Sequence, residues 1–77
     1  MERIDIYLAA GEDMYRVIYS NALGRAKDLT IQGPILLFFA IELARNYVKE
    51  KDLDKNAVKI HKTKNNPYYI GRIQYPK

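Results

Sequence analysis

Only one stretch of this 77-residue chain repeats its apolar residues at helical spacing. From Gly33-Pro34 to about Lys51, Leu37, Ala40, Ile41, Ala44, Tyr47 and Val48 make an apolar stripe, widened by Leu36, Phe39 and Leu43. Glu42, Arg45, Asn46 and Lys49 make the opposite, polar stripe. Gly33 reads as the N-cap and Pro34 as the first helical residue, where a missing N–H costs nothing. The other patterned segments alternate with period two, as half-buried strands do. One helix covers one face of a sheet. The expected architecture is therefore an α+β two-layer sandwich, a four-stranded, mainly antiparallel sheet in ββαββ order with the helix on one face and the second face open.

In residues 3–8, Ile4, Ile6 and Leu8 alternate with Arg3, Asp5 and Tyr7; in residues 14–20, Tyr15, Val17 and Tyr19 alternate with Arg16, Ile18 and Ser20. Gly11-Glu12 between them suits a two-residue type II′ turn, because glycine accepts the positive φ of its first position. The register that follows sets Ala10 against Asp13, Leu8 against Tyr15, Tyr7 against Arg16, Ile6 against Val17 and Ile4 against Tyr19. Asn21 to Gln32 has no sustained period and reads as a connecting loop with room for one short strand or turn. A second hairpin pairs Val58–His61 with Tyr68–Tyr75 through a loop from Lys64 to Pro67, since Pro67 cannot donate the hydrogen bond that a two-residue Asn65-Asn66 loop would require. Val17, Ile41, Ala44, Ile60 and Ile73 are expected in the core. Residues 1–77 make a single domain, and a chain of this length buries only about 60% of its unfolded surface, so an oligomer would add stability.

With 48% hydrophobic residues the chain is too apolar for disorder, and its longest uncharged apolar run, Pro34 to Ile41, falls far short of the roughly 20 residues that span a bilayer. The absence of cysteine excludes a disulfide scaffold, a thiolate metal site and a cysteine nucleophile. Met1-Glu2-Arg3-Ile4-Asp5 has no basic segment ahead of an apolar stretch, so no secretory signal is read and a cytoplasmic protein without membrane contact is expected.

Charge is distributed unevenly. All nine acidic residues lie at or before Asp54, whereas Lys55, Lys59, Lys62, Lys64, Arg72 and Lys77 follow it without an acid among them. Two readings stand for this basic third of the chain: an anionic partner, or lysines and arginines that keep a hairpin soluble and protect its edge. On the open face the alternation collects Tyr7, Arg16, Lys59, His61, Tyr68 and Arg72, with Lys62 and Lys64 nearby. Tyrosines that stack on bases and cations that meet phosphates are the division of labour of single-strand platforms. Chemistry is weakly represented: His61 lies mid-strand without a patterned carboxylate, Gly24 and Gly33 are too isolated to cradle a phosphate, and no nucleophile stands at recognisable spacing from a base. No enzyme, cofactor or metal site is expected.

Ile35 and Phe38 share a side of the helix with Glu42 and Arg45, leaving its first two turns apolar all round. Either the loop from Asn21 to Gln32 covers them or they form a dimer or partner interface. The tyrosines Tyr15, Tyr19, Tyr47, Tyr69 and Tyr75 are expected to fill the core with their hydroxyls at its rim.

The order of elements, with Tyr15-Arg16-Val17 in the second strand and Gly33-Pro34 opening an alanine-containing amphipathic helix, is similar to that of several small phage-encoded inhibitors of the anti-CRISPR type. The resemblance implies a protein that binds an effector in the host cytoplasm and performs no reaction. With a pI near 9.4, the chain departs from the acidic, DNA-mimicking subset, and no functional residue carries over. The expected function is a small non-enzymatic binding module, an inhibitor or accessory protein whose partner offers an acidic or nucleic-acid-binding surface. The alternative is a nucleic-acid-binding domain that uses the basic, tyrosine-bearing sheet face.

Overall fold

Two long strands, β1 (Arg3–Ala10) and β2 (Met14–Ser20), form an antiparallel hairpin at the centre of the computed structural model, which describes residues 2–63. Pairing follows the expected register from Arg3↔Ser20 through Leu8↔Tyr15, then slips so that Ala10 meets Met14 rather than Asp13. The extra residue makes a bulge at Ala9, and the connection is a three-residue Gly11-Glu12-Asp13 turn, with Gly11 at φ +63°, instead of the two-residue type II′ turn. The alternation that set the hairpin's inner face survives the correction, because the bulge falls beyond its last inward pair.

The segment between β2 and the helix holds the short strand for which the sequence left room, and a second, unexpected one. β3 (Ala26–Asp28) folds back antiparallel on β2, setting Ile18 against Asp28. Asn21 closes that turn: its Oδ1 accepts from the backbone N–H groups of Leu23 and Arg25, at 2.9 and 3.0 Å. β4 (Ile35–Leu36) then pairs with the start of β2, Tyr15 facing Ile35. This pairing displaces the expected helix start. Gly33 has φ +122° and is no N-cap, Pro34 is not the first helical residue, and α1 runs from Leu37 to Lys51 with no side-chain cap on its first N–H groups.

The end of α1 is sharply specified. Asp52 adopts the left-handed conformation, its N–H donates to the Lys49 carbonyl and the Leu53 N–H donates to that of Val48, a Schellman closure without glycine. A 3₁₀ turn (Lys55–Ala57), with the Asp54 carboxylate accepting from the Asn56 N–H, leads into β5 (Val58–His61).

The sheet is mixed. Its order is β3-β2-β1-β5, with β4 also on β2, and β5 runs parallel to β1. The fold is a small α+β domain with a sheet whose pairings are mostly antiparallel, but the expected four strands in ββαββ order are not matched: among the described residues four strands precede the helix and one, parallel to β1, follows it. After the hairpin has placed β2 on one edge of β1, α1 crosses the sheet and delivers the next strand to the other edge in the same direction, as a parallel neighbour requires. The expected partner of β5, residues 68–75, and the core residue Ile73 lie outside the described residues.

The core joins Ile4, Ile6, Leu8, Tyr15 and Val17 of the sheet to Ala40 and Ala44 of the helix. Ile41, Tyr47 and Val48 pack around it. Ile60, expected to be buried, is 42% exposed, because β5 lies beyond the area that α1 covers. The face away from the helix is not open along β1: Asp5, Tyr7 and Ala9 are buried, and Tyr7, Ala9 and Ile18 make a second, smaller cluster. Among the described residues no helix is long and apolar enough to cross a membrane.

Candidate binding surfaces

Arg16, Tyr7 and His61 lie in one row across β2, β1 and β5, since Tyr7 pairs with Arg16 on one side and with His61 on the other. The sequence expectation that these residues share a face is thus met, but their surroundings differ from those of an open platform. Tyr7 is fully buried, with no exposed ring for a base to stack on. Arg16 Nη1 donates to Asp28 Oδ2 at 2.7 Å and to the Thr30 carbonyl at 3.2 Å. Asp28 also accepts from the Thr30 N–H and hydroxyl, and the Thr30 Oγ1 accepts from the Val17 N–H, so the cation belongs to a network that fastens β3 and its following turn to β2.

His61 has the carboxylate that its sequence neighbourhood lacks. Its Nε2 lies 2.9 Å from Asp5 Oδ1, to which Arg3 Nη2 donates at 2.7 Å. The Asp5 carboxylate is buried, and a buried carboxylate requires such partners. Asp5 and His61 are far apart in sequence and meet because β1 and β5 are parallel neighbours. The only sequence signal was that both fall on the same face. Among the described residues no group of three acidic or histidine side chains could hold a metal ion.

Lys59 and Lys62 are exposed; Lys64, Tyr68 and Arg72 lie outside the described residues. Ile35 is half-buried in the short β4 pairing. Phe38 behaves otherwise. It is 68% exposed, its neighbour Phe39 is 55% exposed, and the two rings meet edge to face with centroids 5.4 Å apart. Leu36 beside them is also exposed, as is Ile31 in the connecting segment, which therefore does not bury this end of α1 as a covering loop would. Phe39 was expected on the core stripe. The two-residue β4 consumes the first turn of the anticipated helix, and Ala40 and Ala44, not Phe39, face the sheet.

A further concavity of about 640 Å³ opens between the C-terminal half of α1 and β5. Ile41, Ala44 and Val48 form its helical wall, and Ile6, Val58 and Ile60 its sheet wall. No protein-family model, characterised protein or solved structure matches the chain.

Proposed function

We propose that this protein is a small binding module acting by protein–protein contact, an inhibitor or accessory protein, with Leu36, Phe38 and Phe39 as its anchoring surface. The observation that carries the reading is the exposure of two adjacent phenylalanines at the start of α1. Aromatic residues, phenylalanine among them, are enriched at the cores of protein interfaces, and contiguous exposed apolar patches mark interaction sites. The nucleic-acid alternative draws less support, because of its described residues Tyr7 is buried while Arg16 and His61 already engage Asp28 and Asp5. The exposed lysines Lys59 and Lys62 then serve to steer an acidic partner.

The test is affinity capture from host lysate, untreated and nuclease-treated, with the wild type and with the Phe38→Ser, Phe39→Ser double variant. Neither ring is in the core, so the variant keeps the wild-type thermal melt and loses the captured protein. Capture that survives in the variant, or that disappears on nuclease treatment of the wild type, overturns the reading. Sedimentation run alongside identifies a second copy of the chain as the partner if a dimer dissociates in the variant.

A further inference from the structure

The groove between α1 and β5 stands at the opposite half of the helix from Phe38 and Phe39 and has a different chemistry. Apart from Asn56, its uncharged lining is aliphatic, and Leu53, set in place by the Schellman closure, adds to it. The charged side chains that line it are Arg45 and Lys49, one helical turn apart on the same wall; among its described lining residues there is no acid. Neither cation makes an ion pair among the described residues. Glu42, Glu50, Asp52 and Asp54, the nearest acids in sequence, are exposed and do not line the groove.

We infer that this groove binds an amphiphilic anion, an aliphatic chain that ends in a carboxylate. Its volume falls within the range of about 300–1000 Å³ typical of small-molecule sites, which combine an apolar lining with a few placed polar groups. The wall from Ile41 to Val48 rises about 10 Å along the helix axis, a length that suits a medium acyl chain. Aliphatic side chains remove that chain from water, and Arg45 and Lys49 hold its head through charge-assisted hydrogen bonds. The site takes the free amphiphile, not a bilayer, since a concave lining accepts one chain and presents no apolar surface for insertion.

The experiment titrates the full chain with decanoate below its micelle-forming concentration and follows backbone amide resonances. Decyltrimethylammonium and decanol serve as charge-reversed and neutral probes. Saturable shifts confined to Ala44, Arg45, Val48, Leu53 and Ile60 are expected with decanoate, and binding at least tenfold weaker with the cation. The Arg45→Gln, Lys49→Gln double variant, altered only at exposed positions, raises the dissociation constant for decanoate about tenfold and leaves that for decanol unchanged. Ile60→Glu, also at an exposed position, abolishes decanoate binding by placing a carboxylate in the groove. Equal affinity for the cationic probe, shifts scattered over the surface, or an unaffected double variant overturns the proposal. So does an acidic amphipathic peptide that fills the groove where decanoate does not. None of these outcomes involves Phe38 or Phe39, so they leave the proposed function to its own test.

Discussion

Tyr19 carries the clearest consequence of a single contact. Its hydroxyl donates to the Glu2 carboxylate, and this bond, with burial and the nearby Glu2 and Tyr47 adding to it, pushes the phenol up to about 12 from 10.0. The folded value lies above the unfolded one, so the stabilisation is fully present below pH 10 and is lost as pH rises toward about 12. In an ultraviolet phenolate titration, Glu2→Gln should return one tyrosine toward the ordinary range; superimposable curves would reject the contact. Asp5 makes the second residue-scale prediction. Its buried carboxylate accepts from Arg3 and faces His61, so Asp5→Ala should cost about 1.5–3 kcal/mol in a urea melt, the range for hydrogen bonds to charged groups. A loss under about 0.5 kcal/mol would mark the cluster as a surface feature.

At the scale of elements, α1 lies against the sheet on its two smallest apolar residues. Ala40 and Ala44 are buried against the sheet core of Ile4, Ile6, Leu8, Tyr15 and Val17, while the bulkier Leu37, Ile41, Tyr47 and Val48 flank the contact line. Small residues at the line let helix and sheet approach closely, and close-packed interiors have no room for added methylenes. Ala40→Leu should therefore destabilise the protein by about 1–3 kcal/mol, whereas Asn46→Leu on the exposed side should stay within about 0.5 kcal/mol of the wild type. Chemical denaturation of both variants decides it. If Ala40→Leu is neutral, the helix does not seat on that line.

For the whole molecule, the net charge of +4 does not by itself make a nucleic-acid-binding surface. Arg3, Arg16 and His61 are each drawn into contact with a carboxylate, and the exposed cations of the described residues, Lys59 and Lys62 at the end of the described chain and Arg25, Lys27, Arg45, Lys49 and Lys51 before them, are dispersed over several elements. Labelled oligonucleotides should bind weakly in fluorescence anisotropy, with a shallow salt dependence between about 50 and 200 mM, because few phosphate contacts release few counterions. Micromolar affinity that falls steeply with salt and vanishes in the Lys59→Ala, Lys62→Ala variant would restore the alternative.

Local pattern was enough for much of this protein. The alternation of residues 3–8 and 14–20 determined the first hairpin, its inner face and its pairing up to Leu8↔Tyr15, because a one-residue slip would turn every apolar side chain outward. The 3.6-residue period likewise determined the helix and its end near Lys51, and Phe38 was singled out as an apolar residue on the polar side. Tertiary structure decided the rest. Nothing local to Ile35–Leu36 shows that two residues will pair with β2 and delay the helix, since short pairings depend on what lies alongside. Nothing local to Val58–His61 shows that the strand will lie parallel to β1, and that one neighbour relation brings His61 to Asp5 and leaves Ile60 at the rim of a groove. Periodicity reports which side of a strand is apolar; which strand lies beside it is set by where the helix deposits the chain.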